Sequence, residues 1–398
     1  MDQKAWSQRR RLHVDDAYLQ SGFYTSSANS TIMTLLLLTA CFVMSLIGTS
    51  LGPVMVIRAL KMKATQVEIG LIGGMSSFTY AVMTLSAFYV SKMIGRKKAL
   101  MYALASYTIA LLTYLVATNP YQLMIGRAIE GMAWGLFWPF VETVLAELLG
   151  VESMVPKFST AWSSGAIVGS MLIAVLLKIE PPIYLLIYMT VVMAYLLPLT
   201  KLKISSDRTR EMEKLGLKGL AMGLRSLWHG WTLLVVSYVC MGLWLALTPA
   251  HMKTWGYEDF IIGLCLFTLM SMRTLTFILL ERMSKALNEK QLENIFLVLP
   301  VAVIVPVLTR KPIHVIIASA ALGVGLGLVY ATVLRQVLSE GRMAREVMTG
   351  LFEFFIGIGF FIGPTIGGLL ASIEEELAYI GCALITALAV MMYRLHKM

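Results

Sequence analysis

The chain has 398 residues, 58% of them hydrophobic and 14% charged, with a mean hydropathy of +0.76 and a formal net charge of +10. An ordinary soluble domain carries roughly a quarter charged residues, so the composition excludes a water-soluble globule. The positive excess would admit a nucleic-acid partner, and only its distribution along the chain decides against one.

Residues 1–30 form a polar N-terminal tail that opens with Asp2, Lys4 and Arg9-Arg10-Arg11. The tail lacks the short apolar core and small-residue cleavage site of a secretory signal peptide, so the first apolar stretch is expected to direct insertion itself. Crossing a hydrocarbon core of roughly 30 Å takes about 20 apolar residues. Twelve such stretches follow, at 31–58, 66–93, 99–118, 121–149, 154–178, 182–200, 229–250, 258–282, 292–309, 312–338, 346–372 and 376–393. The predicted fold is an all-α integral membrane protein, twelve transmembrane helices in two pseudo-symmetric six-helix bundles, 31–200 and 229–394. A basic linker at 201–228 joins them, partly as an interfacial helix over 211–224, and 395–398 form a C-terminal tail.

The first and seventh stretches have no Asp or Glu in their apolar bodies; Ser45, Thr49, Ser237, Trp244 and Thr248 are their polar and aromatic candidates. The second ends in a basic loop, Lys92-Met93-Ile94-Gly95-Arg96-Lys97-Lys98. In the fourth, a helix advancing about 100° per residue brings Arg127, Glu130, Gly131, Trp134, Trp138 and Glu142 within about 60° of one line. Lipid would demand Leu, Ile and Val there. Each charge at such depth costs about 2.5–3.5 kcal/mol and calls for a partner or a watery cavity.

Two readings of this stripe compete. Either Arg127 contacts an anionic substrate group or controls the protonation of Glu130, or the two form an i,i+3 pair that merely neutralises itself. Leucines would replace a self-neutralising pair at less cost, which favours a functional role. Trp134 and Trp138 are either packing or cavity walls, and Glu142, nearer the helix end, suits a gating or interfacial contact as well as coupling.

The fifth stretch carries Gly165-Ala166-Ile167-Val168-Gly169, and the eleventh carries Gly359-Phe360-Phe361-Ile362-Gly363-Pro364-Thr365-Ile366-Gly367-Gly368. Glycines four apart let two helix backbones approach closely. Between them lie Arg273, midway along the eighth stretch, and Gly323, Gly325, Gly327 and Tyr330 in the tenth. Glu353 enters the eleventh two turns from its start, as a coupling carboxylate or a partner for Arg335, Arg342 or Arg345. Cys41, Cys240, Cys265 and Cys382 lie in apolar helices with no metal-ligand spacing. The five histidines fall at segment ends or in tails.

The glycine motifs, the Gly52-Pro53 and Thr248-Pro249 helix ends, and the basic loops at 92–98 and 281–285 repeat at about 190 to 200 residues. Parallel six-helix repeats of this kind are related by an axis along the membrane normal. With an even helix count, 24 of the 33 Lys and Arg fall on the side of the two termini and 7 on the other. That asymmetry places both termini in the cytoplasm of a multi-pass cell-membrane protein and makes the arginine run a topology anchor, so no nucleic-acid partner is expected.

The chain after Ser30 resembles the major facilitator superfamily. Glu68-Ile69-Gly70-Leu71 with Gly95-Arg96-Lys97-Lys98 is similar to the family's Gly-x-x-x-Asp-x-x-Gly-Arg-Lys, weakly echoed after the eighth helix. Lys92 stands where the family has the aspartate, and a lysine there would repel the arginine with which that aspartate forms a latch. Arg127-Ala128-Ile129-Glu130-Gly131-Met132-Ala133 is similar to the family's Arg-x-x-Gln-Gly-x-Gly/Ala. The family's antiporter motif belongs to its fifth helix, whereas the full glycine-proline copy here is in the eleventh, so it supports the fold more than antiport.

The resemblance implies a secondary transporter working by alternating access. No phosphate-cradling loop, catalytic constellation or cofactor site is read in the sequence. Substrate and coupling candidates are Arg127, Glu130, Trp134, Trp138, Arg273, Tyr330 and Glu353. Conformational candidates are Lys92, Gly95, Arg96, Lys97, Gly165, Gly169, Gly359, Gly363, Pro364 and Gly367. The first expectation is proton-coupled efflux of a small apolar or amphipathic compound by a monomer in the bilayer, and its rival is uptake of an organic anion. A non-cycling sensor or scaffold is the alternative of another class.

Overall fold

A computed structural model describes residues 27–201, 223–225, 227–282, 296–339 and 342–397. Twelve helices are found among them. They are α1 (Ser27–Lys61), α2 (Gln66–Ile94), α3 (Arg96–Val116), α4 (Pro120–Leu149), α5 (Val151–Leu176) and α6 (Pro181–Lys201), then α7 (Trp228–Thr254), α8 (Asp259–Arg282), α9 (Val298–Leu308), α10 (Pro312–Ser339), α11 (Arg342–Ala371) and α12 (Glu375–Lys397). Eleven are long and apolar enough to cross a membrane; α9 is described over 11 residues. The tail with Arg9-Arg10-Arg11 and nearly all of the basic linker lie outside the described residues, as do residues 283–295.

Local chemistry sets the helix ends. Asn119 accepts from Gln122 N at 3.1 Å with Pro120 at the first helical position, which starts α4. Gly95 and Gly150 have φ of 79° and 74°, a left-handed backbone that other residues rarely adopt, and they separate α2 from α3 and α4 from α5.

Successive helices alternate in direction. Arg96 meets Glu147 at 2.7 Å and Lys97 Nζ donates to Thr200 O at 2.6 Å at what we term the proximal end, where α1 and α7 begin. Arg58 donates to Tyr114 O and Ala117 O at 2.6 and 2.8 Å at the distal end, and Tyr257 donates to Arg310 O there at 2.5 Å.

Helices α1–α6 pack as one bundle and α7–α12 as another, each repeating the other's close approaches. A Cβ at Gly165 or Gly169 of α5 would overlap the Phe42 or Leu46 carbonyl of α1, and one at Gly359 or Gly363 of α11 the Val235 or Val239 carbonyl of α7. Likewise Gly131 of α4 lies on Ser76 O of α2, and Gly323 and Gly327 of α10 lie on the Leu269 and Arg273 carbonyls of α8. The two glycine motifs therefore hold each half together. Gly165→Val and Gly169→Val are expected to cost at least 1–3 kcal/mol, roughly, through backbone overlap. A lowered thermal midpoint in detergent checks this, with Gly350→Ala, whose Cβ meets nothing within 4 Å, as the neutral control.

The halves meet along α2–α11 and α5–α8. Towards the distal end of the first seam Gly70 rests on Pro364 O and Gly368, Gly74 on Phe361 O, and Gly368 on Gln66 O, the last at 2.5 Å from the position a Cβ would take. In the second, Gly263 approaches Ala174. The distal end is closed by backbone against backbone.

Candidate functional site

Between the halves lies a cavity of about 230 Å³. Ser45 and Thr49 of α1, Ser76, Ser77 and Tyr80 of α2 and four residues of α4 form its N-terminal wall. The α4 contribution is Arg127, Trp134, Trp138 and Glu142. Trp134 lies directly over Gly48 of α1, where any side chain would overlap its ring. Trp138 sits edge-on to Trp134 at 6.4 Å and to Phe158 of α5 at 6.0 Å.

Glu130 does not line the cavity. It is fully buried, turned to α3, where the Tyr107 hydroxyl lies at 3.4 Å and the Tyr114 hydroxyl donates to its Oε2. Arg127 Nη1 donates to the same oxygen at 2.6 Å, while its Nε donates to Ile72 O at 3.2 Å. Arg127 thus borders the cavity with its charge already matched by an acid and its Nε and Nη1 donors engaged by the protein. Tyr107 and Tyr114, seven apart on one face of α3, carry the only local signal of this pocket, a pair of polar tips at helical spacing.

The C-terminal wall is built around Arg273 of α8. Its guanidinium stands 5.1 Å from the Trp162 ring, 5.2 Å from Tyr330 and 5.8 Å from Tyr238, and Nη2 donates to the Tyr238 hydroxyl at 2.8 Å. These rings come from α5, α10 and α7, so both halves contribute to the cage. Among the described residues no carboxylate lies within ion-pairing distance of Arg273. Cations over aromatic faces are attracted by the ring quadrupole, which holds the guanidinium without cancelling its charge.

Glu353 of α11 accepts from the Tyr80 hydroxyl of α2 at 2.5 Å, a hydrogen bond between the two halves. Glu142 faces the same space, near enough to Glu353 for the two carboxylates to interact. Arg335, one partner considered for Glu353, instead donates to Leu280 O; the side chains of Arg342 and Arg345 lie outside the described residues.

Of the other candidates, Ser237 and Trp244 point elsewhere, Ser237 to Leu234 O and Trp244 Nε1 to Ser319 at 3.1 Å. Arg96 and Lys97 are tied within the N-terminal half, as described, and the side chain of Lys92 lies outside the described residues. Pro364 is wedged between Gly70 and Gly73 of α2 and Gly242 of α7, and Gly367 lies against Leu243 and Leu247. Tyr80, Trp162 and Tyr238 were not singled out in the sequence, because each is one aromatic among many until the helices are assembled.

The sequence model of a family described as Major Facilitator Superfamily matches residues 33–343. Among solved structures, the nucleoside transporter NupG superposes with a TM-score of 0.70 at 13% identity, covering 91% of this chain and 98% of that one. A bacterial homolog of the human lysosomal transporter Spinster, inward-facing and occupied, gives 0.73 at 14% identity over 94% and 98%. The Escherichia coli fucose:proton symporter FucP gives 0.60 at 14% over 92% and 99%. At these identities the likeness is one of fold. A gallate transporter of Pseudomonas putida is 32% identical over 97 residues, which span 24% of this chain and 22% of that relative.

Proposed function

The chain belongs to the major facilitator superfamily and is a multi-pass transporter rather than an enzyme, and from that premise we propose that it carries a small aromatic organic anion together with protons. The observation that carries this reading is Arg273, a buried cation ringed by Trp162, Tyr238 and Tyr330 with no carboxylate in ion-pairing distance among the described residues; Glu353 shares the cavity, near enough to interact with it, but is held by the Tyr80 hydroxyl. A carboxylate entering the cavity supplies the missing counter-charge, and the rings receive its apolar body. The cavity is smaller than the roughly 300 Å³ at which drug-sized sites begin, which favours a single-ring compound. The short likeness to a gallate transporter lends support, gallate being an aromatic carboxylate.

Arg127 serves the cavity differently from the sequence expectation. Its pair with Glu130 is self-contained, so it shapes the wall and leaves substrate charge to Arg273. The coupling role moves to Glu353, whose bond to Tyr80 spans the halves and is broken or remade when they rock about the central site. The charge asymmetry along the sequence supports a cytoplasmic proximal end in a cell membrane. One protomer contains the whole cavity, in keeping with a monomer.

A second reading, efflux of an amphipathic cation, draws on Glu142 and Glu353 facing the same aromatic space. Liposomes holding the purified protein and an internal pH dye separate the two when challenged with benzoate and trihydroxybenzoate, then with lipophilic quaternary ammonium ions. Proton movement with the aromatic acids is expected; a response to the cations alone, lost in Glu142→Gln, would reverse the assignment. Glu353→Gln is expected to abolish substrate-driven proton movement while radiolabelled benzoate exchange persists, because a neutral amide can stand in the cavity but cannot cycle a proton.

A further inference from the structure

His251, near the distal end of α7, is fully buried and takes no part in the central cavity. Its Nε2 lies 3.1 Å from Gln66 Oε1, at the first residue of α2, and its Nδ1 lies 2.9 Å from the Tyr379 hydroxyl of α12. One neutral tautomer uses both nitrogens: Nε2–H donates to Gln66, and Tyr379 donates to Nδ1. The imidazole therefore joins two helices of the C-terminal half to the N-terminal half.

The surroundings fix the ring in place. Tyr379 also approaches Thr248 Oγ1 at 3.4 Å and Trp255 tilts against the imidazole at 6.1 Å, while Glu375 Oε1, 3.5 Å from Nδ1, faces a nitrogen without a proton in this tautomer and makes no hydrogen bond to it. Further out, Arg310 lies 5.1 Å over the Trp255 ring and pairs with Glu376. All of these groups belong to the C-terminal half. Gln66 alone comes from the other, at the point where Gly368 of α11 rests on its carbonyl. The side-chain bond and the tightest backbone seam coincide.

We propose that His251 is a positioning residue of the transport cycle: it latches the distal end closed by holding Gln66 across the halves, and must release it for that end to open. The proposal rests on the alternating-access reading above. The latch differs from the glycine seam in kind, since it is directional and depends on one donor and one acceptor. Its loss at the Gln66 side lets the distal end part while the His251–Tyr379 bond within the C-terminal half stays in place.

Spin labels on Lys61→Cys and Lys311→Cys, exposed distal positions on opposite halves, report the gap in lipid nanodiscs by pulsed electron resonance; the four native cysteines are buried. Gly70→Val serves as the reference for a distal end that cannot close, because its Cβ would overlap Pro364 O. Gln66→Leu and His251→Leu are each expected to raise the separated population about 3- to 10-fold, the yield of losing one buried neutral hydrogen bond. The double variant is expected to go no further than either single one. Gln66→Glu, which keeps an acceptor, should retain the closed population. Gln66→Leu, at a half-buried helix start, keeps the test available should His251→Leu fail to fold. Separation in Gly70→Val with none in Gln66→Leu, or additive effects of the two leucines, overturns the latch and leaves alternating access standing. A single short distance in every variant, Gly70→Val included, overturns both.

Discussion

Arg273→Ala is expected to weaken binding of a single-ring aromatic carboxylate by roughly 30- to 1,000-fold while leaving the fold intact. Removing one member of a desolvated charge pair costs about 2–4 kcal/mol, and each 1.4 kcal/mol is about a factor of ten. Here the second member is the substrate, so the loss falls on binding. Without substrate the guanidinium is a buried cation held by rings and one tyrosine hydroxyl, with Glu353 across the cavity but not paired to it. Deleting it relieves a desolvation cost, and the thermal midpoint of the empty protein should stay level or rise. Arg273→Lys should recover part of the affinity, because an ammonium keeps the charge but loses the planar fork and its stacking on three rings. Isothermal titration of the purified variants with benzoate measures both affinities, and a thermal melt in detergent reads the midpoint. Equal affinity in wild type and Arg273→Ala would remove the anion site.

Glu130→Ala should behave in the opposite manner, destabilising the protein by about 3–5 kcal/mol because it strands Arg127 beside a buried void. Glu130 is fully buried and turned to α3, away from the cavity, so the partner is lost on the dry side of Arg127. Glu130→Gln, which keeps the shape and an acceptor for the Tyr114 hydroxyl, should lose less. Replacing both by Met and Leu should recover most of the stability, since a pair that neutralises itself is often dispensable to an apolar substitute. A thermal melt in detergent reads this series. Substrate-driven proton movement should survive in Glu130→Gln; its disappearance in a protein with an unchanged midpoint would return the coupling role to that carboxylate.

The contrast between the two arginines marks how far the sequence carries. Depth, count and spacing of apolar runs are properties of single helices, so the helices, their alternation and both glycine motifs could be read directly. The polar stripe of α4 could be read only as an arc. At about 100° per residue Glu130 and Glu142 fall about 60° to either side of Arg127, at opposite edges of that arc. One edge meets the α3 tyrosines and the other the cavity, and nothing within α4 says which. The cage around Arg273 draws one ring from each of three helices in two halves, which no local pattern encodes. His251 illustrates a boundary effect: the apolar run ends at Ala250, but α7 continues to Thr254 and buries the histidine in the last turn of a helix packed on several sides.

The distal seam has a thermodynamic consequence. Where Gly70 and Gly368 meet their neighbours there are no rotamers to freeze, so that part of the seam closes with almost no loss of side-chain entropy and leaves the Gln66 side chain to be ordered on His251. The glycine contacts themselves expose little apolar surface on parting, so their own share of the heat capacity change of opening should be small. A smaller curvature of the Eyring plot for distal opening than a side-chain-packed interface would give is what a seam built largely on backbone contacts produces.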